Sequence, residues 1–123
     1  MYKTFTFVKM QPGFSRDEFF ERWCQHTRSL GREIRPEIES SRLMLVDGDG
    51  PFVGIAETHW SDAEALDRTM SRFKTPSGQI LWKDLETFVD TANSPTFVVT
   101  HEAAVSSTGE VEVLEKPGPA AAD

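Results

Sequence analysis

Three histidines, His26, His59 and His101, are the residues of this sequence best suited to moving protons. An imidazole changes charge near working pH, so it can take a proton from carbon beside a carbonyl and return it. Glu57 shares strand parity with His59, and a carboxylate beside an imidazole fixes its tautomer or raises its pKa. A second set is aromatic. Trp23, Trp60, Trp82, Phe20, Phe73 and Phe88 could line an apolar cavity, with Thr27 and the three histidines as its polar contacts. The chemistry that set supports is proton transfer next to a carbonyl, with the base His26 or His101 and a second polar group holding the enolate oxygen. The plainer readings are satisfied or surface histidines, and an aromatic stripe that is ordinary core.

Other chemistries find less support. Two or three histidines and a carboxylate could bind zinc or iron, but the sequence has no H-x-H or H-x-x-x-H spacing, and no metal is expected. Asp47-Gly-Asp-Gly-Pro51 lacks the later ligands of a calcium loop and reads as a hairpin turn. There is no glycine-rich phosphate loop and no G-x-S-x-G elbow, so no nucleotide, flavin or other cofactor is expected. The single cysteine, Cys24, excludes an intrachain disulfide and reads as a packing residue beside a helix. A net charge of −7 argues against nucleic acid or an anionic membrane as partner. With no secretory apolar region and no run of spanning length, a cytoplasmic address is the default expectation.

The elements that must position these residues follow from patterning. At 123 residues the chain is long enough for one domain with an ordinary core. Tyr2 to Met10 reads as a strand with apolar residues on both faces. Gln11-Pro-Gly-Phe is a turn, and Ser15 with Glu18 forms a capping box that opens a helix running to about Glu33. Phe14 and Phe19 stand at the positions of a hydrophobic staple. At about 100° per residue, Phe19, Phe20, Trp23, Thr27 and Leu30 form one stripe, with His26 on its margin. Arg42 to Val46 and Phe52 to Trp60 read as a hairpin pair. Ser61-Asp-Ala-Glu64 reads as a second capping box before a helix with Ala65, Leu66, Met70 and Phe73 on its buried side. Thr75-Pro-Ser-Gly interrupts it, Gln79 to Val89 reads as a further helix, and Thr96 to Val105 as the fourth strand. The domain is thus expected over residues 1–105. From Ser106 the composition turns to Ser, Gly, Glu, Pro and Ala, which predicts a flexible tail over 106–123 with material for a short edge strand at Val111, Val113 and Leu114.

The order β-α-β-β-α-β is that of a ferredoxin-like α+β unit, with an antiparallel sheet and helices on one face. Strand one then lies between strands three and four. The last residues of those two strands share one end of the sheet, toward which the later turns of helix one also run. This topology predicts that His26, His59 and His101 converge on one mouth of a cavity. The bare face of the sheet predicts packing against a second copy of the chain.

The opening stretch Lys9-Met-Gln-Pro-Gly-Phe-Ser-Arg-Asp-Glu-Phe-Phe-Glu-Arg-Trp23, with His26, Thr27 and Leu30, resembles the start of EthD-type proteins of the dimeric α+β barrel superfamily. Asp84-Leu-Glu-Thr-Phe-Val-Asp90 and Ser94-Pro-Thr-Phe-Val-Val-Thr-His-Glu102 resemble the closing segment and last strand of that family. The resemblance covers roughly residues 3–105. It implies a homodimeric barrel and a cofactor-independent lyase, dehydratase, cyclase or isomerase. The substrate would be a small hydrophobic or aromatic carbonyl, ketide or lactone of catabolism or secondary metabolism. Two alternatives are a cofactorless monooxygenase, in which an electron-rich phenolate reacts directly with oxygen, and a non-catalytic ligand-binding accessory protein. The family's histidine usually stands four residues after the tryptophan. Here that position is Thr27, and the histidine is one residue earlier.

Overall fold

The first helix begins where its capping residues require. The Ser15 amide donates to Glu18 Oε1 at 2.9 Å and the Glu18 amide donates to Ser15 Oγ at 3.1 Å, the two reciprocal bonds of a capping box. Gly13, at φ +99°, reverses the chain just before it, in a region that glycine enters without steric cost. These residues join strand β1 (Tyr2–Val8) to helix α1 (Arg16–Ser29). The computed structural model describes residues 2–30 and 36–114. The expected continuation of α1 to Glu33 lies outside them.

The chain continues through β2 (Ile38–Leu45), β3 (Gly54–Trp60), α2 (Ala65–Phe73), α3 (Pro76–Glu86), a 3-10 turn (Thr91–Asn93) and β4 (Thr96–Val98). The main sheet has the order β2-β3-β1-β4, and every neighbouring pair is antiparallel. This is the expected α+β, ferredoxin-like arrangement with β1 between β3 and β4. Residues of α1, α2 and α3 all meet the sheet face that carries Thr4, Thr6 and Val8, so the helices form a single layer on one side.

Several boundaries differ from expectation for identifiable reasons. Ser61 does not cap α2. Its amide donates to the Glu37 carbonyl at 2.8 Å, and its hydroxyl is engaged by the Glu37 carboxylate. Asp62 accepts from the Glu64 amide instead, and α2 starts only at Ala65. Thr75-Pro76 opens α3 rather than merely interrupting a helix. Thr75 Oγ1 accepts from the Gly78 amide, and Pro76 takes the first helical turn, where its missing N–H costs nothing. A Cβ on Gly78 would stand 2.1 Å from the Arg72 carbonyl oxygen, so only glycine lets α2 and α3 approach this closely.

The fourth strand is shorter than expected. It pairs with β1 over Thr96–Val98, and the Val99 amide donates to the Lys3 carbonyl just beyond it. The segment expected as one strand to Val105 instead leaves the sheet. Ala103–Val105 (β5) pairs with Val111–Val113 (β6) in a separate antiparallel hairpin, turned at Gly109 with φ +87°. Residues 115–123 of the expected tail lie outside the described residues.

The core lies between α1, the exit of α3 and β1: Val8, Phe19, Trp23, Phe88 and Val89. Phe19 and Phe88 are fully buried, and burying a ring of that size stabilises by roughly 2–3 kcal/mol. Phe14, the other member of the staple, packs against this cluster. The segment leaving α3 is laced to the end of β1. The Gln11 amide donates to the Phe88 carbonyl at 2.9 Å and the Asp90 amide to the Lys9 carbonyl at 2.8 Å.

Candidate functional site

Between the sheet and the helices lies a cavity of about 240 Å³. The sheet supplies its floor: Thr4, Thr6 and Val8 from β1, Ala56, Thr58 and Trp60 from β3, and Thr96 from β4. The helices supply its walls: Trp23 from α1, Leu66 and Met70 from α2, and Trp82 and Leu85 from α3. Val89, Thr91 and Ser94 complete it. Strand alternation explains the floor. Thr4, Thr6 and Val8 point to the helices, and the opposite parity, Lys3, Phe5 and Phe7, points away.

The polar groups of the cavity are hydroxyls. Trp60 Nε1 donates to Thr4 Oγ1 at 2.9 Å. Thr6 Oγ1 and Thr96 Oγ1 are 2.8 Å apart, and Thr58 Oγ1 lies 3.3 Å from Ser41 Oγ. Ser94 Oγ accepts from the Lys9 amide and donates to the Asp90 carbonyl, which fixes the loop below the cavity. Every lining side chain is apolar, an indole or a hydroxyl.

The three expected tryptophans, Trp23, Trp60 and Trp82, all line this cavity. The other aromatic candidates do not. Phe20 packs edge-on to Trp23, and Phe73 edge-on to Trp82. Phe88 is core beneath Phe19. Thr27 donates its hydroxyl to the Trp23 carbonyl at 2.9 Å, the ordinary resting place of a helical threonine.

The three histidines do not converge, and none lines the cavity. His26 is 4% exposed. Its helical phase turns it from the sheet toward α3, where Nδ1 lies 2.8 Å from Asp84 Oδ2 and the ring stands edge-on to Phe88. Arg22 holds both oxygens of the same carboxylate and stacks over Phe88. The Arg22 guanidinium, and after it His26, keeps the Asp84 carboxyl below its ordinary range.

His59 lies on the far face of the sheet, because Thr58 and Trp60 on either side of it face the helices. Its Nε2 is 2.7 Å from Glu57 Oε2. That bond, with Lys3 and Arg42 nearby, lowers the Glu57 pKa. His101 sits beyond β4 in an exposed connection, where its Nδ1 lies 3.1 Å from Thr100 Oγ1. Among the described residues no group of three or more His, Cys, Asp or Glu side chains comes together to hold a metal ion. No helix there is long and apolar enough to cross a membrane.

Sequence reasoning missed the hydroxyl floor. The available signal was the alternation of Thr4, Thr6 and Val8 with Phe5 and Phe7. It places hydroxyls on the face that helices cover.

No protein-family model matches the sequence, and no curated protein does. Solved structures do. An ethyl tert-butyl ether D (EthD) family protein from Bacillus halodurans superposes with a TM-score of 0.56 at 18% identity, over 83% of this chain and 100% of that one. SnoaB from Streptomyces nogalater, a cofactor-independent oxygenase, superposes with a TM-score of 0.54 at 14% identity, over 80% and 90%. A dimeric protein of ferredoxin-like fold from Bacteroides fragilis gives 0.53 at 10% identity, over 80% and 91%. The chain has a ferredoxin-like α+β fold, which the EthD family protein shares. Identities this low speak for the fold alone, so the chemistry has to be argued from the cavity.

Proposed function

We propose that this EthD-type domain is a cofactor-independent enzyme that takes a small aromatic carbonyl or phenolic compound into the tryptophan-walled cavity, and that it works as a homodimer. The observation that carries this reading is the composition of the cavity. Three indoles and five aliphatic side chains, Val8, Ala56, Leu66, Leu85 and Val89, offer a flat apolar ring its surroundings, and hydroxyls on the floor offer hydrogen bonds to its oxygens.

The same composition ranks the possible chemistries. Proton transfer by His26, His59 or His101, in a lyase or isomerase, needs an imidazole within reach of the substrate. Here each imidazole is engaged outside the cavity. A cofactorless monooxygenase asks less of the wall, because an electron-rich phenolic compound, which can enter uncharged as its keto tautomer, is itself the electron donor to oxygen. The protein then has to bind, orient and desolvate. That reading fits a cavity of indoles and hydroxyls better, and SnoaB, a structural neighbour, is a cofactor-independent oxygenase.

The homodimer rests on the far face of the sheet. Phe7 stacks there with Phe52 and Phe97 at 5.7 and 5.5 Å, and Phe97 is 52% exposed. A second copy would cover this face.

Oxygen uptake tests the activity. With a panel of hydroxynaphthalenes and hydroxyaryl ketones, the protein is expected to consume oxygen above the uncatalysed rate with at least one compound that it binds. Binding without any excess uptake would leave a ligand-binding protein and overturn the enzyme reading.

A further inference from the structure

Thr4 is the most deeply buried polar side chain of the cavity floor, at 2% exposure. Its hydroxyl accepts the indole N–H of Trp60 at 2.9 Å, and among the described residues it has no other hydrogen-bond partner. A hydroxyl has one proton to donate and two lone pairs. Trp60 occupies a lone pair, so the Thr4 proton is left without an acceptor, and the space it borders is the cavity. The other floor hydroxyls differ. Thr6 and Thr96 bond each other at a half-open edge where Thr96 is exposed, and Thr58 is paired with the exposed Ser41.

We propose that Thr4, held in orientation by Trp60, is the hydrogen-bond donor with which the cavity recognises an uncharged acceptor oxygen, a ring ketone in particular. This inference rests on the cavity being the ligand site. The charge of the ligand follows from the wall. No lining residue is cationic, so a carboxylate or phosphate would be desolvated without a counter-charge. A ketone loses little on entry and gains the Thr4 hydroxyl proton, which no neighbouring group accepts. The ring then lies among Trp23, Trp60 and Trp82 with its oxygen toward β1.

The test compares 1-indanone with indane, which differ by that oxygen, by calorimetric titration of the full chain. Wild type is expected to bind the ketone about fivefold more tightly, as a single neutral hydrogen bond allows. Thr4→Val should bind indane as wild type does and lose the preference for the ketone, and Thr4→Ser should keep it. Thr4→Val leaves the Trp60 N–H without an acceptor, so a second pair guards against misfolding. Trp60→Phe retains the Thr4 hydroxyl and should still prefer the ketone, whereas Trp60→Phe combined with Thr4→Val removes both partners and should not. Equal affinity of wild type for the two probes, or a ketone preference that survives loss of Thr4, overturns the role of Thr4 and leaves the cavity reading standing. Failure of wild type to bind either probe overturns both.

Discussion

His26 and Asp84 form the arrangement in the molecule that most resembles catalytic machinery, an imidazole bonded to a carboxylate, yet their surroundings are those of a clamp. They tie α1, which carries Trp23, to α3, which carries Trp82 and Leu85. His26→Ala is expected to lower stability by about 2 kcal/mol in urea denaturation, through a lost buried contact and a broken hydrogen bond, and to leave the affinity for 1-indanone within twofold. A large loss of affinity at unchanged stability would instead place His26 in the site. The pH dependence follows from Asp84. Its folded pKa lies below the ordinary value of 3.8, chiefly through Arg22. A depressed carboxyl contributes stability above its unfolded pKa and loses that contribution as pH falls through the folded value. Asp84→Asn should therefore flatten the fall in stability below about pH 4, seen in denaturation midpoints from pH 6 to pH 2. An unchanged acid limb would show that the pair contributes nothing. The sequence did not reveal this clamp, because helical phase put His26 only on the margin of the stripe and could not say which neighbour stood there.

At the scale of elements, the close approach of β3 to α1 shapes the cavity. A Cβ on Gly54 would stand 2.6 Å from Trp23 Cζ3 and 3.2 Å from the Met44 carbonyl oxygen. Gly54→Ala must therefore move the Trp23 indole, which already borders the cavity. We expect about 1–3 kcal/mol of destabilisation from overpacking and about tenfold weaker binding of 1-indanone, measured by thermal melting and calorimetry. Full affinity in that variant would mean that Trp23 can give way elsewhere. The elements themselves were largely legible. The Ser15–Glu18 box, Gly13 and the alternation of β1 fixed the β1–α1 unit and, with the later pattern, the antiparallel sheet. Two features were not legible. Whether a serine caps a helix depends on what else claims it, and Glu37 claims Ser61. The end of β4 depends on where the chain leaves the sheet for the β5–β6 hairpin, which the alternation of Thr96 to Val105 does not mark. The convergence of histidines failed on simpler grounds: His59 and Trp60 are adjacent on one strand, so they cannot face the same cavity.

On the scale of the molecule, a four-stranded sheet has helices on one face and aromatic side chains on the other. Phe97→Arg places a charge on that second face, beside Phe7 on the edge strand β4. If two copies meet there, the variant should shift from dimer to monomer in sedimentation, by tenfold or more in dissociation constant, while its β1–α1 core keeps the wild-type far-ultraviolet dichroism. An unchanged mass would remove this face as the dimer interface. The resemblance to EthD-type proteins anticipated the fold, and the fold then placed the tryptophans together and the histidines apart. That separation is the centre of the functional reading, and nuclear magnetic resonance can test it directly. On titration with 1-indanone, the indole N–H signals of Trp23, Trp60 and Trp82 should all shift and saturate together, while the imidazole signals of His59 and His101 stay in place. Shifts confined to the imidazoles, with the three indoles unmoved, would contradict the cavity as the binding site.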